Sequence, residues 1–419
     1  MTDLQSIGGA ILLAPVWIAA FIFVLSIVVF FHELGHFLAA RLSGVRVEIF
    51  SIGFGKQIFS WTDRWGTEWR IARWPLGGYV KFFGDVNAAS APDTAKIKPK
   101  QDAKPFTTQF PTREQAQELT EEERKVCFHY KPVAVRAFIV AAGPIANFLL
   151  AIVIFSALLV SYGEVVYPPR VGEVAEGSAA EEAGIQPGDL ITHINGREMR
   201  NFSDLQNMVL FNAGVELDIR IERGDQILEL KATPLRSTTT DSFGNEVQIG
   251  LLGVTSTNER EIVRYGVPGA VARATERVVQ FVGAIFKYLK RVISGQEDAS
   301  QLGGPLRIAQ YSGQAATTGF ESGDGVLGGI FASLITLINL AGALSVSVGL
   351  INLFPIPMLD GGHLMYYAYE AAAGRPLSDK AQAIGYRIGF AAIVSMLIFV
   401  TWNDLQNLRV FEFIGGFFS

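Results

Sequence analysis

Charged side chains are absent from three long stretches of this chain, residues 4–31, 137–163 and 325–359, which are 28, 27 and 35 residues long. Crossing a hydrocarbon layer of ~30 Å takes about 20 mainly apolar residues in a helix, so each stretch predicts a membrane span. Residues 388–403 form a weaker fourth candidate of 16 residues. The first run has no basic lead-in and no small-residue cleavage site, and it is too long for a signal-peptide core. It therefore predicts a retained membrane helix.

Between the second and third runs the pattern changes period. Residues 190–194, 217–221 and 227–230 read as strands, separated by the turn formers Gln186-Pro187-Gly188-Asp189, Asn195-Gly196 and Arg223-Gly224-Asp225. Residues 203–211 have the serine cap and apolar spacing of a short helix, and residues 241–254 would supply the last strands. The mixture predicts a small α+β domain. Farther on, Val271, Ala274, Val278, Phe281, Ile285, Tyr288 and Val292 recur at helical spacing, with Arg273, Arg277, Lys287, Lys290 and Arg291 between them. Residues 268–293 are thus a helix on a membrane surface or one packed on a neighbouring domain. Residues 87–120, rich in Ala, Pro, Lys, Asp, Gln and Thr, predict a flexible insertion.

The expected fold class is a mostly α membrane protein with about four transmembrane helices and an inserted α+β domain. Composition agrees: 49% of residues are hydrophobic, 18% are charged and the mean hydropathy is +0.29. Soluble domains carry roughly 25% charge. An ordinary soluble enzyme and a disordered chain are excluded, and a net charge of −5 leaves no basic footprint for nucleic acid. The single cysteine, Cys127, rules out an internal disulfide and reads as an inert small residue.

Charge also orients the chain. Residues 41–136 balance to +5 and residues 164–324 to −7. Arg41 and Arg46, then Lys125, Lys131 and Arg136, flank the first two spans on one side; Glu164, Glu321 and Asp324 border the other. The positive-inside rule puts the first loop in the cytoplasm and the α+β domain outside. The expected segments are a first span in 1–40, a cytoplasmic loop in 41–136, a second span in 137–163 and the outer domain in 164–260. An amphipathic surface region in 261–324, a third span in 325–363, a cytoplasmic loop in 364–387 and a fourth span with its tail in 388–419 complete the chain.

His32-Glu33-Leu34-Gly35-His36 stands at the end of the first run. Histidines at i and i+4 share one helical face, so their ring nitrogens can converge on one tetrahedral zinc ion. Glu33 lies beside them, placed to take a proton from a metal-activated water. Ionisable groups in a membrane helix are costly and mark function; three polar caps at a helix end are the plain alternative. A catalytic zinc takes a third protein ligand. Asp360 and His363 both qualify, within Asn352-Leu353-Phe354-Pro355-Ile356-Pro357-Met358-Leu359-Asp360-Gly361-Gly362-His363. His363 equally suits a supporting role. Pro355 and Pro357 break regular helix, and irregular backbone at membrane depth belongs in protein or along a wet cavity. Spacing alone assigns the Asn352 amide to a helix–helix hydrogen bond. His129 and His193 have no ligand spacing, and Trp61, Trp65, Trp69 and Trp74 match an interfacial aromatic belt.

Together these residues resemble the site-2 protease family of intramembrane zinc metalloproteases, over nearly the whole chain. His32 to His36 matches its HExxH motif and Asn352 to Gly361 its NxxPxPxLDG motif. Phe50-Ser51-Ile52-Gly53-Phe54-Gly55 and Pro75-Leu76-Gly77-Gly78-Tyr79-Val80-Lys81 resemble the cytoplasmic-side segment, and Ala142-Gly143-Pro144-Ile145-Ala146-Asn147 the GPxxN signature. Residues 171–233 resemble a bacterial PDZ domain through Gly177-Ser178-Ala179-Ala180, Ala183-Gly184-Ile185, Pro187-Gly188-Asp189 and Ile194-Asn195-Gly196. Members that regulate sigma-E carry two PDZ domains in tandem; one signature is found here.

The resemblance implies Zn2+ held by His32, His36 and Asp360, with Glu33 as the catalytic base and Asn352 contacting substrate. It implies a membrane-re-entrant β-hairpin whose Gly77, Gly78, Tyr79 and Val80 hold the substrate as an extended strand. The implied partners are the lipid bilayer and single-pass transmembrane proteins already trimmed outside, such as anti-sigma factors, or remnant signal peptides, with peptide contact through the PDZ domain. The implied place is a bacterial inner membrane, with the active site toward the cytoplasm and the PDZ domain in the periplasm. Regulated intramembrane proteolysis in a stress response would be the role. Two readings compete: a membrane scaffold acting through its PDZ domain, and a channel, for which the second run lacks charged groups.

Overall fold

The computed structural model describes residues 2–84, 119–210, 212–240, 246–257, 259–295 and 303–407. Residues 87–118 of the expected insertion lie outside the described residues, as do residues 241–245 and the tail after residue 407. Two compact units are present. One holds the described parts of Met1–Phe155, Val271–Val292 and Ala299–Ser419, the other those of Ser156–Ala270 and Ile293–Asp298. Four described helical stretches are long and apolar enough to cross a membrane: Pro15–Leu42, Val133–Tyr162, Gly325–Asn352 and Lys380–Gln406.

The first unit opens with helix α1 (Thr2–Leu42), strands β1 (Val47–Thr62) and β2 (Glu68–Phe82), a short α2 (Glu121–Val126) and α3 (Val133–Tyr162). Helices α1 and α3 meet at Gly35, where a Cβ would overlap the Ala142 carbonyl. Apolar helices gain no hydrophobic drive from meeting in lipid, so small residues that allow close contact hold them.

The two strands of the expected β-hairpin fold back further on themselves. Gly53 and Gly55, with φ of 88° and 89°, turn β1 back on itself, and Gly77, with φ of 129°, turns β2. Glycine enters this region without a Cβ penalty. Residues 49–52 therefore pair on one side with 78–81, numbers running in opposite senses, and on the other with 68–71, numbers rising together. Residues 57–62 pair with 68–72 beyond them. The expected hairpin segment is thus one edge of a folded-back sheet of four segments. Its core joins Phe37, Phe50, Val80, Phe82, Phe128 and Ile139. Trp69 lies within 5.2 Å of Phe37 and 4.3 Å of Phe50, whereas Trp61, Trp65 and Trp74 are 46–60% exposed.

The second unit runs through β3 (Glu164–Val166), β4 (Val171–Val174), α4 (Ala179–Glu182), β5 (Leu190–Ile194), β6 (Arg197–Glu198), α5 (Phe202–Leu210) and β7 (Leu217–Arg223). It continues through β8 (Gln226–Ala232), β9 (Leu235–Thr240), β10 (Glu246–Leu251), β11 (Val254–Ser256) and β12 (Glu261–Val263). The central sheet has the order β6-β5-β7-β8. Successive strand residues face opposite ways, so β7 buries Leu217, Ile219 and Ile221 and exposes Asp218, Arg220 and Glu222. Helix α5 lays Phe202, Leu205 and Val209 on the same core. Buried Asp189 is gripped by Arg223 through Nε to Oδ1 and Nη2 to Oδ2, both 2.8 Å, and accepts the Gln186 amide. Burial pushes this carboxyl up, but these bonds outweigh it and hold it below its ordinary range.

The remaining helices are α6 (Val267–Ile293), α7 (Pro305–Ser322), α8 (Gly325–Asn352), α9 (Asp360–Ala373) and α10 (Asp379–Asn407). In α6, Ala274 and Val278 are buried, Arg277 sits 4.7 Å above the Phe155 ring, and Val279 stays exposed. Within residues 305–322, part of the expected amphipathic surface region, α7 packs closely: Gly313 meets the Trp17 ring of α1, and Ser333 of α8 donates to the Ala316 carbonyl at 2.6 Å. Buried Asp404 of α10 accepts the amides of Gly304, Leu306 and Arg307, satisfying the donors at the α7 N-terminus. The stretch expected as one span over 325–363 divides, because α8 stops at Asn352 and α9 begins at Asp360. Pro355 and Pro357 in the intervening loop cannot donate helical hydrogen bonds.

Candidate metal centre

Helix α1 places His32 and His36 one turn apart, and Asp360 is the first residue of α9. Asp360 Oδ2 lies 3.2 Å from His32 Nε2 and 3.5 Å from His36 Nε2, and the two nitrogens are 3.3 Å apart. A tetrahedral zinc with bonds of ~2.0–2.1 Å keeps its ligand atoms about 3.3–3.4 Å from one another. The triangle therefore has the dimensions of one face of that tetrahedron. Asp360 Oδ2 is also buried without a hydrogen-bond donor, a costly state for a carboxylate that a cation relieves. The donor set fits zinc.

The surroundings make this convergence sterically feasible. Gly143 of α3 passes His36 so closely that a Cβ would overlap Nε2. His36 Nδ1 donates to the Ile139 carbonyl at 2.9 Å, which leaves Nε2 bare for a metal. The Asn147 amide lies 3.2 Å from His32 Nδ1, and Asn352, at the end of α8, places Nδ2 3.4 Å from His32 Nε2. Gly361 and Gly362 press on the carbonyls of Leu353, Phe354 and Ile356, where side chains would push Asp360 away. Met358, two residues before Asp360, has φ of 91°, a strained conformation for a side-chain-bearing residue.

Glu33 faces the 78–82 edge of the sheet. The Val80 amide donates to its carboxylate, and a Cβ at Gly78 would come within 3.0 Å of Glu33 Cγ. Tyr79 stacks on Phe54 with ring centres 6.1 Å apart, and Gly77 makes the turn before the edge. His363 lies outside the triangle, its ring 6.4 Å from Tyr366 and 5.9 Å from Tyr386. His129 and His193 are elsewhere among the described residues. Sequence reasoning placed Gly143 and Asn147 in the GPxxN signature but attached no role to either; a further signal was a polar amide inside the second charge-free run.

The model of peptidase family M50 matches residues 20–396. A candidate zinc metalloprotease of Agrobacterium fabrum is 41% identical over 396 residues, covering 94% of this chain and 96% of that protein. One of Rhizobium meliloti is 41% identical over 394 residues, covering 93% and 96%. Metalloprotease MmpA of Caulobacter vibrioides is 42% identical over 408 residues, covering 96% and 99%. Matched nearly end to end by these relatives and by the family model over most of its length, the chain belongs to peptidase family M50 and is a zinc-dependent metalloprotease with several membrane-spanning helices.

Proposed function

We propose that this metalloprotease cuts peptide bonds within or near the transmembrane segment of single-pass membrane proteins. One observation carries the reading: the His32, His36 and Asp360 donor atoms converge between apolar helices, beside a strand edge at residues 78–82. These three side chains would hold the zinc, which when bound supplies Lewis acidity at the scissile carbonyl and a water of lowered pKa. Glu33 takes the proton of the attacking water and passes it to the leaving nitrogen. Asn352 donates toward the carbonyl oxygen as negative charge develops there.

A transmembrane helix keeps its carbonyls in internal hydrogen bonds, so a substrate must unwind before attack. Adding to the 78–82 edge replaces those bonds with main-chain ones. Gly77, Gly78, Tyr79 and Val80 form that edge and the turn before it. The charge balance supports a cytoplasmic face for residues 41–136 and a periplasmic place for the PDZ-like unit, in a bacterial inner membrane. That unit would contact substrate peptide outside the membrane. The basic residues of α6 and its exposed Val279 and Phe286 support a seat on the lipid surface. Suitable substrates are anti-sigma-factor-like proteins after a first cut, or remnant signal peptides.

Glu33→Gln is expected to abolish cleavage of a single-pass test substrate in reconstituted vesicles while zinc content and thermal unfolding stay as in wild type. Wild-type turnover in this variant would sink the proposal.

A further inference from the structure

Helix α3 carries one side-chain amide, Asn147, and its residue is fully buried. The proposed reaction does not use it. Its backbone is held by α8: Ser345 Oγ donates to the Asn147 carbonyl at 2.9 Å, and Gly349 packs against Cβ. Its side-chain nitrogen lies 3.2 Å from His32 Nδ1, and its oxygen, turned away, is buried without a donor.

We propose that Asn147 is a positioning residue: its side-chain oxygen accepts the Nδ1 hydrogen of His32 and so fixes the tautomer whose Nε2 can bind metal. This rests on the ligand assignment above. A neutral imidazole carries one hydrogen. His32 Nε2 points at the shared apex with His36 Nε2 and Asp360 Oδ2, so as a ligand it must be bare. The hydrogen is then on Nδ1, and the group facing it must accept. An amide nitrogen there would set donor against donor. A half-turn of the amide brings the oxygen to Nδ1, so that an acceptor faces the ring hydrogen. His36 shows the same arrangement with a backbone acceptor, the Ile139 carbonyl. Ile139 and Asn147 are about two turns apart on one helix, so α3 orients both histidines.

The test is zinc affinity of the purified full chain, read by competition with a chromophoric chelator. Asn147→Leu and Asn147→Ala are expected to weaken zinc roughly 10- to 100-fold, whereas Asn147→Asp, same in shape and acceptor only, stays within about threefold of wild type. Alanine covers the case in which leucine does not fold, judged by thermal unfolding of the zinc-free protein. Two results would overturn the proposal: an aspartate variant as weak as the apolar ones, or apolar variants that bind like wild type. His36→Ala separates the two levels. If it binds zinc like wild type, the ligand assignment itself fails; if it loses zinc while every Asn147 variant keeps it, only the role of Asn147 fails.

Discussion

Gly143 stands where α3 crosses His36, and any side chain there would occupy the space of Nε2. Gly143→Ala is expected to displace the ring and cut zinc affinity about 10-fold or more, measured by the same chelator competition; an unchanged affinity would mean that α3 yields at this crossing. The third ligand is tested in parallel. Asp360→Ala should lose zinc by metal analysis and His363→Ala should keep it, because the His363 ring packs toward Tyr366 and Tyr386. Zinc loss in His363→Ala alone would move the ligand. The pairing of His32 with His36 was legible because i and i+4 share a helical face whatever surrounds them. The choice between Asp360 and His363 was not legible from spacing. It depends on the point where α9 starts, which sets the direction each side chain takes.

Among elements, the alternating pattern of β7 and the turn glycines read directly as a strand and its bends. The tie between Asp189 and Arg223, 34 residues apart, did not. Asp189→Asn should lower the local stability of β5 and β7 at pH 7, by less than the loss of a fully buried pair because Arg223 can rehydrate. The folded carboxyl titrates below the unfolded value of ~3.9, so its stabilisation is complete above that pH and fades as pH falls through the folded value. Hydrogen exchange in the full chain should therefore show a gap between wild type and variant at pH 7 that narrows as the pH is taken below the unfolded value. A constant gap would assign the cost to packing instead. The fold-back of β1 and β2 was hidden for a different reason. Gly53, Gly55 and Gly77 were visible, but a glycine permits a reversal without requiring one.

For the whole molecule, the proposed sidedness is read by single-cysteine labelling. With Cys127 replaced by alanine, a cysteine at the exposed Glu229 position should react with a membrane-impermeant maleimide on intact spheroplasts. One at the exposed Lys56 position should react only after lysis. The reverse pattern would invert the proposed topology and place the zinc site toward the opposite face.

What the sequence determined by itself was whatever acts over a few neighbouring residues: apolar runs long enough to span, strands from alternation, and two candidate ligands with a candidate base from one helical turn. The tertiary structure decided what depends on distant segments meeting. Asp360 reaches His32 across more than 300 residues, and the acceptor for His36 lies 103 residues along the chain. No local pattern encodes such a meeting, because the free energy that selects it comes from packing α1, α3 and α8 at glycine-lined crossings.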